Sequence, residues 1–267
     1  MARRRLDAEL VRRGLVATQT QAAHAVRQGL VLLSGRPADN PSTLVDGAEP
    51  VELASAEKPF VSRGGAKLQA ALERFGIEVA GRRCLDAGAS TGGFTDCLLR
   101  RGAEHVIAVD VGYGQLAWSI RTDPRVTVLE RTNVRALSPE RLPFAPQIVV
   151  ADLSFVSLGS VVPTLAGVAG PGAEFVLLVK PQFEVGRDRV GTNGVVRDPD
   201  AWRDAIEGVA QACGREGLAP MGAMASPLLG PAGNVEFPLH AAAGKRAGAF
   251  DPSDAIAEAV RRARVDA

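Results

Sequence analysis

The spacing of apolar residues changes rhythm near residue 82. Before it, Leu6, Leu10, Leu15, Ala22, Ala23 and Val26 recur at helix-compatible intervals. "RRGL" interrupts them and Gly29 closes them, so the pattern predicts two short helices, the second opened by Thr18 or Thr20 as N-cap. "LVLLSGRPA" reads as a strand entering a Ser-Gly turn, and "EPVELA" as a second strand. "SAEKPF" then reads as a linker, with Pro59 discouraging a helix across it.

Beyond residue 82 the apolar runs are "RRCLDAG", "HVIAVDVG", "VTVLER", "QIVVADLS" and "EFVLLVK", mostly separated by helix-length segments. Strands that are apolar on both faces and alternate with helices predict a parallel, doubly wound α/β sheet. "MGAMASP" and "VEFPLHAA" are also strand-like, but the loop "LLGPAGN" between them is too short for a crossover helix. One final strand is therefore expected to run antiparallel. "DPSDAIAEAVRRAR" closes the chain as a helix, with Ser253 or Asp251 near its cap and arginines in its last turns.

Composition narrows the partners. The overall charge is +1, yet residues 1–30 carry Arg3, Arg4, Arg5, Arg12, Arg13 and Arg27 against only Asp7 and Glu9, a local net of +4. A basic arm on a slightly acidic body fits contact with a polyanion. No apolar window is long enough for a membrane helix, and the start of the chain lacks a secretory pattern. Cys84, Cys97 and Cys213 are scattered and the three histidines lie far apart, so neither a disulfide framework nor a metal site is expected. This set fits a reducing cytoplasm.

"CLDAGASTGGF", residues 84–94, turns a strand through glycines toward a helix, the place where open α/β sheets bind ligands. Ser90 stands where a dinucleotide fingerprint has its second glycine, and no GK[ST] follows, which excludes a P-loop. S-adenosylmethionine is the remaining candidate. It has no phosphates, and needs an anchor for its ammonium group and a carboxylate for its ribose. Asp86 supplies the first, while Ala87, Gly88, Ser90, Gly92, Gly93 and Phe94 form the cradle, its glycines letting the backbone lie against the cofactor. Asp110, 24 residues after Asp86, is placed for the ribose hydroxyls beside Val111, and Asn133 and the Val134 amide for the adenine.

The acceptor is narrowed by what the chain lacks. After the fourth strand it reads "ADLSF", without the prolines typical of amine methyltransferases, and none of its cysteines is near that loop. A sugar hydroxyl remains a good candidate. A lysine held in place by carboxylates is one group able to orient or deprotonate such a hydroxyl. Lys67, Asp152, Lys180 and Glu236 all lie on elements able to face the first-strand loop, and Lys180 closes an apolar strand before "PQFEVG".

"RLDAELVRRGL", "VSRGGAKL", "CLDAGASTGGFTDCLL", "VDVGYGQLAW", "ADLSFVSL", "LLVKPQFEVG" and "SPLLGPAGNVEF" closely resemble the TlyA-type ribosomal RNA 2′-O-methyltransferases, historically labelled haemolysins, over essentially the whole chain. The resemblance implies an RNA-binding module like that of small-subunit ribosomal protein four over residues 1–55 and a linker over 56–62. It implies a Rossmann-like, FtsJ-like class I methyltransferase domain with a seven-stranded, mostly parallel sheet over residues 63–267. It also implies a Lys–Asp–Lys–Glu tetrad on Lys67, Asp152, Lys180 and Glu236, and a cytidine ribose of 16S or 23S ribosomal RNA as target. The ends of the chain look like the version that modifies both subunits, and loss of the modification goes with capreomycin resistance in the family. Arg63, Arg131 and Arg187 are expected to add RNA contacts on the methyltransferase face. The enzyme is expected to act on ribosomal subunits as a monomer or weak dimer, without membrane or metal. The readings it competes with are a pore-forming protein and a non-catalytic RNA-binding factor.

Overall fold

The computed structural model describes residues 3–27, 29–53, 59–245 and 248–265. Internal contacts divide the chain into two units, between Pro59 and Phe60. Residues 56–58 of the expected linker lie outside the described residues.

The first unit runs β1 (Arg4–Arg5), α1 (Leu6–Arg12), α2 (Gln19–Arg27), β2 (Val31–Leu33), β3 (Arg36–Pro37), β4 (Leu44–Val45) and β5 (Val51–Leu53). Thr18 opens α2 through a reciprocal cap. Its Oγ1 accepts the Gln21 amide at 3.2 Å, while Gln21 Oε1 accepts the amides of Ala17 and Thr18. Ser34 and Gly35, both at positive φ, make the two-residue turn between β2 and β3, the twist a tight hairpin favours. Leu6, Leu10, Ala22, Val26, Val31, Val45 and Val51 form the core.

The acids of the basic arm are more than counter-charges. Glu9 is buried and accepts from Arg12 Nε and Nη2 and from Arg13 Nε. Those bonds, Arg12's first, hold its carboxyl down at about 2. Asp7 is likewise buried and takes both bonds of Arg5.

The second unit contains α3 (Gly64–Phe75), β6 (Arg83–Ala87), α4 (Gly93–Arg100), β7 (His105–Val109), α5 (Trp118–Arg121), β8 (Val126–Leu129) and β9 (Ile148–Ala151). It continues with α6 (Val162–Val168), β10 (Glu174–Val179), α7 (Pro181–Glu184), α8 (Pro199–Arg215), β11 (Leu218–Ala223), β12 (Phe237–Ala243) and α9 (Ser253–Val265). Its seven strands lie in the order β11-β12-β10-β9-β6-β7-β8. The pairs β10–β9, β9–β6, β6–β7 and β7–β8 are parallel, and β12 is antiparallel to both neighbours, as the short loop before it predicts.

Alternate residues of each strand enter opposite cores. Leu85, Ile107, Val149 and Phe175 pack with α6, α8 and α9. Cys84, Val106, Ile148 and Val176 pack with α3 and α4. This is the doubly wound arrangement, with the strand order reversing beside β6.

Two local expectations change. β11 covers Leu218–Ala223, not 221–227, because Gly217 at positive φ ends the turn after α8 and the strand starts at once. Pro220 hides that start from the pattern; it is tolerated because β11 is an edge strand with a register shift at this point. Phe60 and Val61, expected in the linker, pack within the second unit, where the Val61 amide donates to Asp96 Oδ2 at 2.9 Å and Arg100 covers the Phe60 ring.

Candidate functional site

The loop leaving β6 is shaped by the protein's own packing. Gly88 and Gly92 have φ of +88° and +96°, and a Cβ on Gly88 would meet the Asp152 carbonyl oxygen at 2.5 Å. A Cβ on Gly92 would press on Leu116 and Ile120, and one on Gly93 would collide with Ser62. The glycines expected to make room for a cofactor thus make room first for neighbouring chain.

Asp86, at the end of β6, is wholly buried. Its Oδ2 accepts the Thr95 hydroxyl at 2.6 Å, whereas Oδ1 has no partner among the described residues. Burial above all, then the charges of Asp152 and Asp110, push its carboxyl up to about 7 against the Thr95 bond. Three acids thus bear on one point whose innermost oxygen is unpaired. A cation there would relieve both the repulsion and the unsatisfied acceptor. S-adenosylmethionine, with its ammonium and sulfonium charges, fits this arrangement, and an anionic dinucleotide does not.

Asp110 holds its loop by accepting the Ser90 amide at 2.8 Å and the Gly112 amide at 2.7 Å. A carboxylate has further lone pairs, so these bonds leave capacity for ribose hydroxyls. Gly88, Ser90, Asp110, Val111, Asn133, Val134 and Asp152 line a cavity of about 830 Å³, within the range of small-molecule sites. The Asn133 side chain accepts the Arg135 amide at 3.0 Å, so it also shapes its own turn. Asp86, Ala87 and Gly92 stand behind the lining of this cavity.

A second cavity, of about 300 Å³, shares Gly88, Ser90, Asp152 and Ser154 with the first. Lys67, Asp152, Lys180 and Glu236 all line it, with Arg63, Gly93 and Phe94. They form two ion pairs. Lys67, on α3, reaches Glu236 Oε2 at 2.5 Å, and both side chains are almost fully buried. Lys180, at the end of β10, reaches Asp152 Oδ1 at 2.6 Å and donates to Ser154 Oγ at 2.9 Å. Its hydrogen bond among the described residues is the one to Ser154, and the Asp152 contact is an ion pair, which leaves the ammonium donor capacity toward the cavity.

Sequence reasoning passed over several groups here. Ser154 was visible in "ADLSF" but had no assigned role, and Thr95 carries no pattern of its own. Phe155 has φ of +62°, is 92% exposed, and lies 5.2 Å from the ring of Phe183. The three cysteines are buried, with thiols pushed up to about 12 by that burial, so none is poised as a nucleophile.

The nine candidate RNA-binding arginines fare differently. Arg3, Arg4 and Arg27 are exposed and without acidic partners among the described residues. Arg5 and Arg12 are half-exposed but paired. Arg13 bonds Glu9 and the backbone carbonyls of Asp46, Gly47 and Glu49, which commits it to its own unit. Arg63 lines the smaller cavity, Arg131 lies over the Tyr113 ring at 4.2 Å, and Arg187 is exposed.

Comparison with known proteins adds to this geometry. Residues 60–242 match the FtsJ-like methyltransferase family, and residues 4–51 match the S4 domain. The chain is 56% identical over 89% of both lengths to the 16S/23S rRNA (cytidine-2′-O)-methyltransferase TlyA of Mycobacterium tuberculosis. It is 33% identical to Hemolysin A of Brachyspira hyodysenteriae, over 88% of this chain and 98% of that one. A solved structure from Streptococcus thermophilus, described as a candidate haemolysin, superposes with a TM-score of 0.74 at 35% identity, covering 100% of this chain and 98% of that one.

Proposed function

The chain belongs to the TlyA family of FtsJ-like methyltransferases, and we propose that it methylates the 2′-hydroxyl of a cytidine ribose in 16S or 23S ribosomal RNA, using S-adenosylmethionine. The observation that carries this reading is the convergence of Lys67, Asp152, Lys180 and Glu236 on one cavity that shares its wall with the larger one.

S-adenosylmethionine supplies an electrophilic methyl group on sulfur. Asp86, Asp110, Asn133 and the Val134 amide are the groups to hold it, around the cradle of residues 87–94. Lys180, fixed by Asp152 and Ser154, orients the 2′-oxygen as an ammonium or, as the neutral amine, takes up the hydroxyl's proton as that oxygen attacks. Lys67, held by Glu236, adds a positive charge to the cavity, which stabilises the oxygen as its proton is drawn away. The bound nucleotide must leave its stack to bring its ribose here, and exposed Phe155 offers its base a face.

In the same reading, residues 1–55 form the RNA-binding domain, 56–62 the linker and 63–267 the catalytic domain. Arg3, Arg4 and Arg27 supply phosphate contacts that position the domain on folded RNA. Arg63, Arg131 and Arg187 extend that contact. The enzyme works in the cytoplasm on ribosomal subunits, as a monomer or weak dimer. No helix among the described residues is long and apolar enough to cross a membrane.

The test is methyl transfer from labelled S-adenosylmethionine to purified ribosomal subunits, with mass spectrometry of the product nucleoside. Wild type yields 2′-O-methylcytidine. Lys180→Ala loses about 10²- to 10⁴-fold in rate while still binding cofactor. Transfer by Lys180→Ala at the wild-type rate rejects the role given to Lys180. Cofactor binding with no product on either subunit rejects the enzyme reading in favour of a non-catalytic RNA-binding factor.

A further inference from the structure

The segment "PQFEVG" after Lys180 is not used by the tetrad, yet its acid is built into the same region. Glu184, the last residue of α7, accepts the Ser157 hydroxyl through Oε2 at 2.6 Å and the Leu158 amide through Oε1 at 2.7 Å. The Gly159 amide also favours its charged form. Burial raises its carboxyl despite these donors, so the group is held in a costly place.

Two segments are therefore joined twice. Lys180 grips Asp152 and Ser154 at one end, and Glu184 grips Ser157 and Leu158 at the other. Between the grips, the chain bulges outward at Phe155, whose positive φ an L-residue adopts only when its surroundings impose it. Leu153, Phe155, Val156 and Ser157 from this bulge line the larger cavity.

We propose that Glu184 is a positioning residue for methyl transfer: its carboxylate fixes residues 157–159 and thereby sets the cavity wall formed by residues 153–157. The inference rests on the reading of that cavity as the cofactor site. Its effect travels through the loop, because Glu184 itself lines neither cavity. Removing the carboxylate frees the loop, and cofactor must then spend binding energy to order it.

The experiment compares Glu184→Ala, Glu184→Gln and Ser157→Ala by calorimetric titration with S-adenosylmethionine, by thermal melting, and by steady-state transfer to ribosomal subunits. Glu184→Ala is expected to weaken cofactor binding and raise its KM about tenfold, the scale of one lost charged hydrogen bond. Its kcat at saturating cofactor should fall less. Glu184→Gln should recover most of the loss, since its amide oxygen accepts from Leu158 and its amide nitrogen donates to the Ser157 oxygen. Unchanged cofactor affinity in folded Glu184→Ala overturns the proposal. So does a loss that appears equally in kcat and melting temperature with KM unmoved. Should Glu184→Ala fail to fold, Ser157→Ala decides: it must weaken cofactor binding about threefold, and wild-type affinity overturns the proposal. A wild-type protein that binds cofactor but transfers no methyl would refute the proposed reaction, while the titration would still report on Glu184.

Discussion

Both units hold local ion pairs, Arg100 with Asp96 among those of the second, but the second also holds a long-range one that the first does not match among the described residues. In the first, arginines pair with acids two to four positions away: Arg5 with Asp7, Arg12 and Arg13 with Glu9. Such pairs tie a helix to itself and its nearest turn. In the second, Lys67 meets Glu236 across 169 residues of chain, nearly out of contact with solvent. Burying two opposite charges costs several kcal/mol in desolvation, and an apolar pair of similar volume is often as stable or more so. The local pairs are thus explained by folding alone, whereas the long-range pair lines the cavity that the proposed reaction would use.

The largest test of this contrast is on Lys67 and Glu236. Glu236→Ala leaves a buried ammonium unpaired and should cost about 3–5 kcal/mol in stability, read by denaturant melts. The double variant Lys67→Met/Glu236→Leu should recover most of that stability and none of the methyl transfer. Normal transfer by the double variant would make the pair structural, like those of the first unit.

Asp86 gives the next largest effect. Its carboxyl rises from 3.8 to about 7 in the fold, so the stability it favours below pH 3.8 is lost as pH climbs through 7. A bound ammonium reverses the preference and draws the proton off. Cofactor affinity should therefore increase as pH rises toward 7, by up to about tenfold per unit, with proton release visible by titration in buffers of different ionisation enthalpy. Asp86→Asn should flatten that profile. A profile unchanged by the substitution would remove Asp86 from the cofactor site.

The smallest effects separate the arginines. Arg13→Ala should destabilise the first unit by about 1–2 kcal/mol, since it removes one of Glu9's donors and the bonds to three loop carbonyls, as measured by amide exchange. Arg27→Ala should leave stability alone and reduce the salt slope of RNA binding by about 1. Equal behaviour of the two would erase the distinction between internal and outward-facing arginines.

Much of the fold was legible because parallel strands are apolar throughout and helices between them are not. The short helices of the first unit and the antiparallel β12 followed from turns and loop lengths. The site was legible where chemistry sits at strand ends: Asp86, Asp110, Asp152 and Lys180 each close an apolar run or follow it directly. Less legible was α3, which the apolar rhythm left unassigned although Lys67 projects from it. No periodicity announces that residues 67 and 236 meet, because that contact is made by the sheet order and not by local sequence. Glu9 and Glu184 were missed for a related reason: an acid held by several donors looks like a surface acid until those donors are in place.

The glycines after β6 bear on how mutational data for this region would be read. Before any cofactor arrives, Gly88 is required by the Asp152 carbonyl, Gly92 by its positive φ, and Gly93 is crowded by the Ser62 hydroxyl. A saturation screen for folded protein alone would therefore already be intolerant at these positions. A descendant that had given up methylation would keep the motif as long as it kept its shape. Joint replacement of Lys67 and Glu236 by an apolar pair, which spares the fold the unpaired charge that a single change leaves, is the better gauge of whether chemistry is still under selection.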